Sequence, residues 1–199
     1  MTVWVGVDPG NSGGIAIING KDINIIPMPY TLTSGTNKKK INKLVVNDIF
    51  ESFKNEPHFM VIEIQQALRK PIFGVVQDTN EKVMIDRGDV QGTSSTFNTG
   101  YGFGILLGLA TAHRLNYECV GSQKWQGVVF PKVRHQGTKA TSIEIAKQLY
   151  PNVSLKLNPD NKREKTDKNG LSDALLIATY AMLSYNSESN LYTRKPAIL

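Results

Sequence analysis

Three carboxylates stand where the ends of apolar segments would aim them rigidly. Asp8 closes the run VWVGVD and is followed at once by Pro9-Gly10. Glu63 lies near the end of a second apolar run, HFMVIEI, and Asp173 sits among small residues in LSDALLIA, in what reads as the first turn of the last helix. Each has an ordinary structural reading. Asp8 suits a turn and Asp173 suits a helix N-terminus, whereas an unpaired carboxylate such as Glu63 on an apolar strand is costly. Together they suit a different role. Clustered carboxylates repel one another and persist where cations neutralise them, and hard oxygen ligands select Mg²⁺ or Mn²⁺. Two such ions roughly 3.5–4 Å apart can clamp a phosphodiester and lower the pKa of an attacking water.

The elements that must hold these residues follow from periodicity. VWVGVD, GIAIIN and DINIIPMP read as three successive strands, with Asn19-Gly20 as a tight turn between the last two. Thr31–Lys40 reads as loop, and Ile41–Lys54 as an amphipathic helix with Leu44, Val45, Ile49 and Phe53 at helical spacing. HFMVIEI is a buried strand, and Gln65–Ser95 a long polar loop of the functional or mobile kind. A glycine-bearing helix, TGYGFGILLGLATAHRL, leads to a short strand, YECVG, and then to a helix, TKATSIEIAKQLYP, closed by Pro151. The last helix is LSDALLIATYAMLSY, and the tail from Asn186 is expected to be loose. The order βββ-α-β-α-β-α-α predicts one α/β domain over 1–185, a mixed sheet flanked by helices.

The 199 residues suffice for one domain with a sizeable core. A hydrophobic content of 40% with 20% charged residues is that of a globular chain, and a formal charge of +6 favours polyanionic partners. Cys119 is the single cysteine, which excludes an intramolecular disulfide and a cysteine-rich zinc site; its apolar context predicts a buried thiol in a reducing compartment. The N-terminus has no basic, apolar leader pattern, and no segment approaches the roughly 20 apolar residues of a spanning helix. His58, His113 and His135 lack zinc-like spacing.

These motifs resemble those of the RuvC-type Holliday junction resolvases, in particular their bacteriophage and chloroplast members. GVDPGNSGGIAII is similar to the opening hairpin of that family, VIEIQQ to its second acidic motif and GLSDALLIATYA to its last acidic helix. TSSTFNTGYGFGILLGLATAHRLNYECVGSQKWQ is similar to the intervening small-residue helix, strand and Gln-x-Trp element. The hairpin alone is weak, since sugar kinases and chaperone ATPases share it, but four motifs in this order are specific. The resemblance runs from Val3 to about Tyr185. It implies an RNase H-like fold with a mixed five-stranded sheet, a homodimer, four-way or branched DNA as substrate, and two Mg²⁺ ions per site with Mn²⁺ able to substitute. It carries Asp8, Glu63 and Asp173 over as metal ligands.

The family has a further acid or a histidine three or four positions before the last aspartate, where this chain has Gly170 and Asn169. Asn169 is thus the candidate fourth ligand, with an amide oxygen that lacks charge, and activity is impaired if it replaces an acid. Its alternative reading is a helix N-cap, and Asp167 is the rival fourth ligand. Lys139 matches the segment where the family carries a functional lysine and completes the candidate catalytic set. Lys124, Lys132, Arg134 and Lys139 are candidate phosphate contacts, as are Arg69 and Lys70 beside Phe73, a candidate wedge between bases. A solvated basic face and a packed loop anchor are the plainer readings. The dimer is expected to use the apolar face of the Tyr101–Leu115 helix.

Two other classes compete with a junction resolvase. One is another RNase H-like nuclease, of terminase or transposase type; the other is a junction-binding protein without chemistry. No GxxxxGK[ST] motor signature is present. The expected setting is intracellular: the cytoplasm of a bacterial or phage-infected cell, or a DNA-containing organelle.

Overall fold

Strand β1 (Val3–Asp8) is the axis on which the site is built. In the computed structural model it lies between β2 (Gly14–Asn19), antiparallel to it, and β6 (His58–Glu63), parallel to it. Beyond these lie β3 (Asp22–Pro27) and β9 (Tyr117–Val120), giving a mixed five-stranded sheet in the order β3-β2-β1-β6-β9. The structure describes residues 1–10, 12–32, 39–65, 72–75, 82–86, 93–130, 138–157 and 167–186, with only the backbone for 72–75, 82–86, 93–94 and 138–140.

The period-2 alternation of strands divides the core in two. Val3, Val5 and Val7 of β1, with Met60 and Ile62 of β6, face helices α1 (Lys43–Phe53) and α2 (Thr93–Ala112) through Val46, Phe50, Leu106 and Ala110. Trp4, Phe59 and Val61 point the other way. They pack against α3 (Ser122–Val129), α4 (Thr138–Leu149) and α5 (Asn169–Tyr185) through Trp125, Ile145 and the run Ala174–Ala178. By the same parity Asp8 and Glu63 belong to the α5 side. The register sets Val7 opposite Ile62, so one step further along each strand brings Asp8 beside Glu63.

Helix α5 lies against β1, β2 and β6. Its close approach depends on two glycines. A Cβ at Gly6 would stand 2.2 Å from the Ala174 carbonyl oxygen and from the Ala178 nitrogen, and one at Gly170 would stand 2.1 Å from the Ser12 carbonyl oxygen. No side chain fits at either distance without displacing the helix. The N-terminal end of α5 is thereby pressed onto the turn after β1, which sets Asp173 near the strand ends.

The structure departs from the sequence reading where local signals were short. The ends of the Thr31–Lys40 loop are a small antiparallel pair, β4 (Tyr30–Leu32) and β5 (Lys39–Ile41). The Gln65–Ser95 loop contains a second pair, β7 (Ile72–Val75) and β8 (Lys82–Asp86), and α2 begins within it at Thr93. Helix α3 follows β9 directly and was not foreseen, because eight residues give little more than two turns of periodicity. Leu44 and Val45 of α1 are exposed; Val46, Phe50 and Phe53 form its buried face, and Asn42 caps it by accepting from the Val45 N–H at 3.3 Å. Cys119 is half-buried, because β9 is the edge strand. Most of the tail, 187–199, lies outside the described residues.

Candidate metal centre

Each of the three carboxylates is fixed by a donor from a different part of the fold. Asp8 is buried, and its Oδ1 accepts the Gly10 N–H at 2.8 Å. The same turn is braced by Tyr30, whose hydroxyl donates to the Gly10 carbonyl at 2.8 Å. Glu63 Oε1 accepts the Trp125 indole N–H at 3.0 Å. Asp173 accepts from the Ser142 hydroxyl of α4 and, through Oδ2, from the Asn169 amide one helical turn earlier.

The three sites feel one another electrostatically. Burial pushes Asp8 above the usual carboxylate range against the pull of the Gly10 N–H. Burial raises Glu63 as well, with the Trp125 bond opposing and the Asp8 charge adding to the rise. Asp173 is pushed up to about 7, chiefly by burial and further by the charges of Asp8 and Glu63, although Ser142 and Asn169 favour its ionised form. Tyr30 is held at about 12 by burial and the nearby Asp8 charge. A group of acids destabilised in this way is an electrostatic sink for a cation.

Asn169 Oδ1 and Asp173 Oδ1 are both buried without a hydrogen-bond partner. Buried oxygens left unpaired are costly, and an oxygen-ligated cation is one group that satisfies them. Among the described residues, however, no three His, Cys, Asp or Glu side chains enclose a ready-made ion position. The mutual charge effects mark the three acids as neighbours, and each carboxylate accepts a hydrogen bond from a protein donor. The donor chemistry, three carboxylates and an amide oxygen, fits a divalent cation.

The two candidates for the fourth position have different surroundings. Lys168 occupies the N-cap of α5 without a side-chain cap bond, so Asn169 is the first helical residue and not the cap. Asp173 consequently lies in the second turn and not the first. Asp167 is ion-paired with Lys147 of α4, whereas Asn169 touches Asp173 directly. Lys124 is exposed, and its ammonium pairs with Glu118 at 2.5 Å; Glu118 also accepts from the Tyr185 hydroxyl. Arg69, Lys70, Lys132 and Arg134 lie outside the described residues, and Phe73 and Lys139 are placed only by backbone, in β7 and α4. Trp125 and Ser142 escaped sequence reasoning as site residues. The Gln-x-Trp element marked Trp125 only as part of a motif, and nothing local marks a single serine in an amphipathic helix.

The apolar face of the helix predicted over Tyr101–Leu115 is consumed by the molecule's own core, through Leu106, Ala110 and Leu115. Its outer side exposes Phe97 and Tyr101, stacked at 6.1 Å between ring centroids, and Gly104 and Gly108, which have nothing near their Cβ positions. No helix among the described residues is long and apolar enough to cross a membrane.

The sheet order, the two helical layers and the placement of α5 define an RNase H-like α/β fold. No protein-family model matches the chain, and no curated protein does. Among solved structures it is similar to Thermus thermophilus RuvC in complex with Holliday junction substrate, at 14% identity over 90% of this chain and 92% of that one, with a TM-score of 0.50. It is also similar to a second Thermus thermophilus RuvC structure, at 16% identity over 94% of this chain and 97% of that one, again with a TM-score of 0.50. Likeness at this identity establishes the fold.

Proposed function

We propose that the chain is a structure-selective endonuclease that resolves Holliday junctions and related branched DNA by cation-dependent hydrolysis of phosphodiester bonds. The observation that carries this reading is the convergence of Asp8, Glu63 and Asp173, from β1, β6 and α5, on one end of an RNase H-like sheet, with each carboxylate pushed above its ordinary range. Asp8, Glu63, Asp173 and the Asn169 amide oxygen would hold two Mg²⁺ ions, with Mn²⁺ able to substitute. Such ions supply the charge that activates an attacking water and stabilises the leaving oxygen.

The chain's own contribution is placement. The turn after β1, the indole of Trp125 and the Ser142 hydroxyl keep the carboxylates from swinging into solvent, and the net charge of +6 draws the polyanion in. Lys139, Lys132, Arg134, Arg69 and Lys70 are the proposed phosphate contacts and Phe73 the proposed wedge; Lys124 contributes only if it leaves Glu118. Paired incision of a two-fold-symmetric junction calls for a homodimer, for which the open side of α2 at Phe97, Tyr101, Gly104 and Gly108 is one exposed surface among the described residues. The Gln123-x-Trp125 element supports the bacteriophage and chloroplast-like branch, and an intracellular setting follows from the substrate.

One observation favours a second reading, a junction-binding protein without chemistry. The neutral Asn169 stands where the resemblance has an acid, and its amide covers one oxygen of Asp173. A terminase- or transposase-type nuclease would share the fold but not prefer a branch. Incubation with a labelled four-way junction and a matched linear duplex in Mg²⁺ separates all three. The resolvase reading expects paired nicks near the branch and at least about a hundredfold slower cutting of the duplex, a difference of roughly 2.7 kcal/mol in barrier. Tight binding without nicks supports the second reading, and equal cutting of both substrates supports the third.

A further inference from the structure

From the placement of its indole against Glu63, we infer that Trp125 is a positioning residue for the proposed metal centre, fixing the Glu63 carboxylate without neutralising it. The inference rests on the metal-centre reading above. Trp125 is 1% exposed, and its ring is locked edge-on against Phe130 at 5.5 Å and 88°. Its N–H donates to Glu63 Oε1 at 3.0 Å.

The polarity of that bond suits the task. An indole nitrogen is a donor only and carries no charge. It can hold one oxygen of a carboxylate while leaving the full negative charge available to a cation. A lysine or arginine in its place would compete with the ion, and a hydroxyl could reverse its direction.

The fold makes the contact rigid from both ends. Glu63 is the last residue of β6 and pairs with Val120 of β9, and α3 starts two residues later at Ser122. Trp125 therefore projects from the first turn of a helix that begins beside the strand end it serves. The rest of its side chain is core, packed with Val61, Val120 and Phe130.

Partners that orient metal ligands typically contribute 10–100-fold in metal affinity. Uptake of Mn²⁺ by the full chain, followed by the loss of the free-ion paramagnetic resonance signal, measures this without any need for turnover. Trp125→Phe removes the donor and keeps an aromatic ring. Because the smaller ring could also loosen α3, a second variant carries benzothienylalanine at position 125, which keeps the bicyclic shape and puts sulfur in place of the N–H.

Both variants are expected to bind Mn²⁺ about tenfold more weakly and to need correspondingly more Mg²⁺ for half-maximal cleavage, with the benzothienyl protein melting at the wild-type temperature. A purely structural tryptophan would lower the melting temperature of Trp125→Phe and leave Mn²⁺ affinity unchanged in the benzothienyl protein; that result overturns the inference. A wild-type chain that takes up no Mn²⁺ would overturn the metal-centre reading itself, and the inference with it.

Discussion

Asp173→Asn is expected to slow Mg²⁺-dependent junction cleavage by at least about a thousandfold, as loss of a group that stabilises transition-state charge does, while junction binding is kept or tightened. Asp173 neighbours Asp8 and Glu63; burial chiefly pushes it up to about 7, and their charges add to the rise. Removing one of these charges weakens the hold on cations, and it also removes repulsion between the protein and the DNA backbone. The amide is nearly isosteric, so Ser142 and Asn169 keep a partner and the fold should survive. Asp8→Asn and Glu63→Gln should behave alike, because the three act as a unit. Single-turnover cleavage and gel-shift binding on the same junction check this. A variant that retains near-wild-type cleavage identifies a residue that is not a ligand.

Stability in the absence of divalent ions should fall as pH rises through the weakly acidic range, and position 169 should control how steeply. Asp173 has a folded-state value of about 7 against an ordinary 3.8. Below about 4 the carboxyl is protonated in both states and no penalty exists. Between about 4 and 7 the unfolded chain releases its proton while the folded chain retains it, so stability declines with rising pH. Above 7 the loss is complete. At about 1.4 kcal/mol per unit, this window corresponds to a loss on the order of 4 kcal/mol, or about 10 °C in melting temperature for a chain of this size. Asp8 and Glu63 shift in the same direction and add to it.

Asp173→Asn should flatten the dependence. Asn169→Asp should steepen it, because a donor to Asp173 becomes a second negative charge one turn away. With Mg²⁺ present the order should reverse. The added carboxylate then becomes a charged ligand, and Asn169→Asp should lower the Mg²⁺ needed for cleavage by about tenfold, a typical effect of ligand charge on a hard-cation site. Thermal melts in chelator from pH 4 to 8, paired with Mg²⁺ titrations of cleavage, read both halves. A flat wild-type melt over that range would mean that Asp173 is not held in the destabilised state described.

The sheet and the positions of the three acids were legible because β1 and β6 are six-residue strands of nearly unbroken apolar character, each closed by a carboxylate. Parity alone then puts Asp8 and Glu63 on the same face. Helix α5 was legible from its apolar run, but its start was misplaced by two residues, since Asn169-Gly170 carries turn-like composition. What requires glycine at position 170 is the close approach of Ser12, a long-range constraint with no local trace. The same holds for Trp125 and Ser142, which become site residues only when α3 and α4 fold back over the strand ends. The pair β4–β5 and the early turns of α2 are hidden because short segments rich in Ser, Thr and Lys look like loop until a partner strand or a packed helix overrides propensity; β7 (IFGV) and β8 (KVMID) are apolar but only four and five residues long within a polar stretch. Lys124 is legible as an exposed cation, but its pairing with Glu118 across β9 and α3 has no trace in the local sequence.

The central claim, that this acidic end of the sheet hydrolyses branched DNA with the help of divalent ions, is tested most directly by one measurement. An end-labelled four-way junction is incubated with the wild-type chain in excess, with chelator or across a Mg²⁺ titration, and the products are resolved on a denaturing gel. The account predicts no incision in chelator and, as Mg²⁺ rises, paired incisions near the branch that leave 5′-phosphate ends. Equal incision in chelator, or a junction bound yet uncut at every concentration of Mg²⁺ and of Mn²⁺, would contradict it.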